Sequence, residues 1–266
     1  MPDEFAASRS SASPNALVRP TRKLLILSAL VAASKLAWAG APYFTDDPEP
    51  VEYQHYEVYL ASQYLHSPGD SSGTVFDAEL NYGILPNVQL HVLAPISFDA
   101  PSGQGVQAGL GDAELGIKYR FIDETADHPQ VAVYPAIDFP TGDRSRGLGP
   151  GRAQLYLPAW LQKSKGPWTT YGGGGYWVNP GAGNRNWWFV GWMVQRQVLP
   201  SLAIGVEVFH ETAKTLGGES DTKANLGMTW DLSATSHVLA SAGPVLTGPS
   251  GYQAYLGVQF TPGAGK

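Results

Sequence analysis

The chain contains no cysteine. That excludes a disulfide framework, a thiolate metal site, a cysteine nucleophile and a lipid-modified N-terminal cysteine, and it suits export to a compartment where stray thiols oxidise. Long hydrophobic runs are missing as well. The most apolar stretch, residues 24–33, is half the length of the roughly twenty residues that a membrane-spanning helix needs, so a helical membrane protein is excluded. Basic charge is scarce: 17 Lys and Arg stand against 23 Asp and Glu, a net of −6. An acidic chain does not attract nucleic acid. The 6 histidines have no metal-ligand spacing, and no motif requires a cofactor.

What is present begins with an export signal. Arg19, Arg22 and Lys23 precede the apolar run, and Ala37-Trp38-Ala39 follows it, the small residues fitting cleavage after Ala39. Residues 1–39 are therefore expected to be a signal peptide. Its removal would take five Lys or Arg and two Asp or Glu with it and bring the net charge to −9. The long stretch 1–17, in which Arg9 is outnumbered by Asp3 and Glu4, is unusual for a signal, and the true translation start is expected downstream of Met1. Residues 40–52 are rich in proline and acid and are expected on the periplasmic side, as a tail or as an entrant that gates a lumen. Residues 53–266 form one domain.

That domain has a rhythm of about twelve period-2 segments joined by connections alternately tight and long. Strands are expected at 53–65, 74–83, 88–97, 110–122, 129–139, 152–163, 168–178, 187–198, 202–212, 221–232, 237–246 and 252–260. Pro, Asn, Asp, Gly and Ser supply the tight turns at 84–87, 123–128, 164–167, 199–201 and 233–236,. The longer connections are 66–73, 98–109, 140–151, 179–186, 213–220 and 247–251. Ten-residue amphipathic strands, an even strand count and loops long on one side only describe an antiparallel up-and-down transmembrane β-barrel, with both termini in the periplasm. The last strand closes on Phe260, similar to the terminal strands that barrel assembly machinery recognises.

Side-chain parity assigns the two faces. Tyr56, Val58, Leu60 and Tyr64 form one lipid-facing row, Val88, Leu90, Val92 and Ile96 a second, and Leu202, Ile204, Val206 and Val208 a third. The opposite rows hold Glu57, Asp77, Glu79, His91, Asp112, Glu114, Lys118, Arg120, Glu207 and Asp231, a wet, net acidic interior. These ten residues are the lumen or selectivity candidates. Lys118 and Arg120 facing Asp112 and Glu114 could form a selectivity constriction, although charges of both signs in a narrow barrel more often pair across strands. His91 could bind a solute or simply be a hydrogen-bonded lumen residue. Trp168, Trp187 and Trp188 at strand ends suit an interfacial girdle. Gly172 to Gly175 could suggest a phosphate cradle, but with no following helix the structural role is favoured, glycines letting bulky neighbours pack closely.

Several strings carry a family resemblance: Ala41 to Glu52, Asn81-Tyr82-Gly83, Gly109 to Phe121, Pro140-Thr141-Gly142-Asp143 and Trp168 to Pro180. Through them the chain resembles the transporter-like outer-membrane β-barrels of the "MetA-pathway of phenol degradation" family, along nearly its whole mature length. The resemblance implies a barrel of the Gram-negative outer membrane, porin-like, that passes small solutes, aromatic or hydrophobic ones included. It assigns no substrate residue.

The expectation is therefore a channel for passive passage of a small solute, with no catalytic residue, metal or cofactor. It would be embedded in outer-membrane lipid as a monomer and inserted by the barrel assembly machinery. Three alternatives stay open: a structural or surface-interaction barrel, a soluble, secreted β-sandwich, and an outer-membrane hydrolase.

Overall fold

The computed structural model describes residues 41–262, so the expected signal peptide and its cleavage point lie outside the described residues, as do the last four residues. Twelve antiparallel strands close into a barrel. They are β1 (Tyr56–Ser67), β2 (Asp70–Leu85), β3 (Val88–Asp99), β4 (Gln107–Leu110 and Ala113–Ile122) and β5 (Gln130–Val133 and Ala136–Phe139). There follow β6 (Gln154–Lys165), β7 (Trp168–Val178), β8 (Trp187–Leu199), β9 (Leu202–Glu211), β10 (Asp221–Asp231), β11 (Ser236–Thr247) and β12 (Tyr252–Phe260). Each strand pairs with its sequence neighbours, and β1 closes on β12 from Val58↔Phe260 to His66↔Tyr252. Closure leaves no sheet edge, so every strand can satisfy its backbone within the sheet.

Two strands are interrupted. In β5 the break falls at Tyr134-Pro135, where proline has no N–H to give the ladder. In β4 it falls at Gly111-Asp112, where Asp112 Oδ1 instead accepts from Gly142 N of the β5–β6 loop at 2.8 Å. That loop carries a single 3-10 turn, Arg144–Arg146, and folds back on β4: Arg146 donates to Gln107 Oε1 and to the Ala108 carbonyl, and Leu148 is buried. The connection read as 66–73 differs from expectation. Its polar residues extend both strands, leaving a two-residue turn in which Gly69 has φ 86°.

The three parity rows face outward as read. Val92, Ile204, Val206 and Val208 are exposed, and so are Leu115, Ile117 and Tyr119 of β4. An apolar outer surface wrapped round a closed sheet is the arrangement that lipid requires. Trp168 and Trp188 join this face, but Trp187 does not. As the neighbour of Trp188 it has the opposite parity and points into the lumen, which corrects its place in the girdle.

The glycine run has a physical account on both faces. A Cβ on Gly172 would fall 2.4 Å from the Trp192 ring outside, and one on Gly175 would fall 2.2 Å from the Tyr156 ring inside. Neighbouring aromatics lie flat across the bare backbone of β7.

Candidate functional site: a lumen with two walls and an inserted segment

The lumen has a charged wall and an aromatic wall. On the charged wall, carried by β1 to β4, His91 Nδ1 lies 2.8 Å from Asn81 Oδ1 and its Nε2 lies 3.2 Å from Glu114 Oε1. Asn81 donates to Glu79 Oε1 at 2.7 Å, and Tyr59 donates to Glu57 Oε2 at 3.0 Å. Parity places these groups inside, and burial leaves each polar atom dependent on a protein partner.

The aromatic wall, on β5 to β9, is one continuous cluster. Tyr156 stacks on Trp177 at 4.4 Å and Trp177 on Trp187 at 5.2 Å. Trp160 meets Phe189 at 6.0 Å, edge to face, and Phe189 stacks on Phe209 at 5.3 Å. Such offset and edge-to-face pairs suit the ring quadrupole. The sequence reading missed this wall because it took only the polar members of each inward row. The signal was available: Tyr156 and Trp160 share the parity of Gln154 and Gln162.

Residues 41–52 lie between the walls. Of the two placements left open for this stretch, its contacts are those of the lumen. Ser241 Oγ donates to the Pro42 carbonyl at 2.6 Å, the Thr45 amide donates to Glu207 Oε1, and Val51 N donates to Gln89 Oε1 at 2.8 Å. Tyr43 sits over Gly205 and Gly227, where a Cβ would fall 2.5 Å from its hydroxyl and 2.6 Å from its ring. Phe44 stacks on Phe209 at 5.2 Å. On the charged side, Lys118 Nζ lies 3.0 Å from Asp46 Oδ1 and 3.8 Å from Asp47 Oδ1. Arg120 Nη1 lies 3.8 Å from Glu49 Oε1. Burial pushes the Asp47 carboxyl above the usual carboxylate range, with Lys118 pulling it down less strongly,.

These ion pairs correct one expectation. Lys118 and Arg120 do not face Asp112 and Glu114; both reach to the inserted segment, and Arg120 also pairs with Asp123 at 3.0 Å. The ten candidates divide. Glu57, Glu79, His91, Glu114 and Lys118 line a cavity of about 270 Å³ above the segment, together with Tyr134, Trp160 and Trp177. The other five stand elsewhere. Asp77 accepts from Thr74 and Gln63, Asp112 holds the β5–β6 loop, Arg120 binds Asn87 and Gln130, Glu207 holds Thr45, and Asp231 pairs with His237 at 2.8 Å. Among the described residues, no cluster of His, Asp and Glu has the geometry of a metal site.

The family model described as the MetA-pathway of phenol degradation matches residues 39–261. The chain belongs to this family. Among solved structures it is similar to the COG4313 outer membrane channel from Pseudomonas putida F1, at 16% identity and a TM-score of 0.65, covering 81% of this chain and 98% of that one. The KdgM porin in complex with disordered oligogalacturonate follows at 9% identity and a TM-score of 0.53, and the NanC porin at 7% and 0.53, each covering 76% of this chain and 98% of the other. At these identities the likeness is one of fold. Comparison with curated proteins returned no match.

Proposed function

We propose that this MetA-family barrel is an outer-membrane channel for passive passage of small solutes, closed in the state described here by residues 41–52. The observation that carries the reading is the position of that segment, tied to β3, β4, β9 and β11 across the lumen. A twelve-stranded barrel is too narrow to leave a wide pore around it. Opening therefore requires the segment to move. The walls then present a charged and an aromatic surface to the solute, with no covalent step: His91, held by Asn81, Glu79 and Glu114, has no nucleophile among these partners. The outward apolar belt and the porin-like fold support residence in the outer membrane. Cleavage after Ala39 belongs to the same reading, since the mature chain would then begin at Gly40, one residue before Ala41, which already lines the lumen.

The test is planar-bilayer conductance of the mature barrel against a variant lacking residues 41–52. The expected result is a several-fold rise in conductance on deletion. A deleted barrel that remains closed to ions and to small uncharged solutes would falsify the channel reading.

A further inference from the structure

The cavity above the inserted segment has a charge imbalance that its protein partners do not neutralise. Asp46, Asp47, Glu49, Glu57, Glu79 and Glu114 line it, and the cations lining it are Lys118 and His91. Arg120, outside the lining, pairs with Glu49 at 3.8 Å, and the surplus that remains, three negative charges, survives protonation of any two of the carboxyls. The α-ammonium that cleavage after Ala39 would create does not cancel it either.

The opposite side of the same cavity is aromatic. Tyr134, Tyr156, Trp160 and Trp177 line it, and the chain's own ammonium groups already lie against rings of this lumen. Lys118 Nζ is 5.6 Å from the Tyr134 centroid, Lys223 Nζ 5.3 Å from Phe209 and Lys214 Nζ 4.3 Å from Trp187. Ring faces attract cations most where water is excluded. A third observation concerns Trp160, whose side chain is 1% exposed and whose Nε1 has no hydrogen-bond partner among the described residues. A buried indole N–H normally has one.

From these features we infer that the cavity binds small organic cations: a protonated amine on an aromatic body whose hydroxyl or carbonyl can accept from Trp160. The inference names the cargo class of the channel proposed above and rests on that reading. An anion of the same size would meet the carboxylate surplus, and a neutral phenol would stack on the rings while leaving that surplus uncompensated.

Three probes of one shape separate these cases: tyramine, 4-ethylphenol and 4-hydroxyphenylacetate. Each is titrated against the full mature barrel in detergent, read by tryptophan fluorescence. Tyramine is expected to bind about tenfold more tightly than 4-ethylphenol, the equivalent of ~1.4 kcal/mol, and 4-hydroxyphenylacetate more weakly than either. Glu57→Gln and Glu79→Gln should each bring the ratio of tyramine to 4-ethylphenol affinity closer to one, with heat-modifiable gel migration confirming the fold. If Glu79→Gln does not fold, Glu57→Gln, whose carboxylate accepts from the neutral Tyr59 hydroxyl, decides. Equal binding of all three probes, or preference for the anion, overturns the inference. The channel reading is judged apart from this by the conductance of the barrel lacking residues 41–52. Tyramine selectivity without conductance would sink passage and keep the ligand class; conductance without tyramine selectivity would do the reverse.

Discussion

The two walls of the lumen are built by opposite means. The wall of β1 to β4 is specified partner by partner: Asn81 links Glu79 to His91 Nδ1, and Glu114 stands 3.2 Å from His91 Nε2. The wall of β5 to β9 is specified by shape, with Tyr156 and Trp160 lying over the glycines of β7. A polar network suffers most when one member is removed, because its partner is left buried and unpaired. A shape-built wall suffers most when something is added, because the bare backbone is the seat of a ring. Substitutions that are harsh on one wall should therefore be mild on the other.

The largest effect is expected at the glycine run. In Gly175→Leu the new Cβ would lie 2.2 Å from the Tyr156 ring and 2.8 Å from Pro158 Cβ, and neither neighbour can yield within a closed sheet. The expected outcome is loss of the folded, heat-modifiable form on refolding into lipid vesicles. Normal folding would show that the rings move freely. Next come two losses of similar size. Lys118→Ala strands Asp46 and Asp47 beside the charged wall, and breaking a buried ion pair costs about 3–5 kcal/mol. The cost should fall on docking of residues 41–52, seen as faster hydrogen exchange of their amides and higher conductance, with the barrel intact. Trp160→Ala leaves a cavity in the aromatic wall and should lower barrel stability by about 3–5 kcal/mol in denaturant titration.

The strands were legible because their signal is local. β7 and β12 run as read, at Trp168–Val178 and Tyr252–Phe260, since alternation and the flanking turn residues both lie within the segment. The outward rows were legible for the same reason. The breaks were not. Across Tyr134-Pro135 parity resumes in phase, so the alternation runs straight through it, although Pro135 was a visible warning. Across Gly111-Asp112 the phase flips, with Leu110 and Leu115 both facing outward, a one-residue shift that alternation counted from Gly111 onward does not reveal. The 66–73 stretch was taken for a loop on its turn residues; polar strand beyond the membrane has the same composition. On the candidate site, the charged residues of β1 to β4 were found by face alone, but their partners were not. Asp46 meets Lys118 and Thr45 meets Glu207 across the lumen at separations of 72 and 162 residues, and no period within a strand encodes such a pairing.

The smallest of the expected effects bears most directly on whether the two walls are separate. Tyr134 belongs to both: its ring joins the aromatic cluster, its edge meets His91 at 5.5 Å, and its hydroxyl donates to Glu114 Oε1 at 2.7 Å. Tyr134→Phe keeps the ring and removes only the donor. Because the acceptor is a buried carboxylate that retains His91 as a neighbour, the expected loss is about 1–2 kcal/mol in denaturant titration. Glu114→Gln removes the charge from the other end of the same bond. If the hydroxyl fixes the carboxylate, the double variant should lose less than the two single losses added together, by an interaction of at least about 0.5 kcal/mol. Simple additivity would mean that the aromatic wall does not position Glu114. The charged wall would then be held by His91 and its amide neighbours alone, and a solute could meet each wall independently of the other.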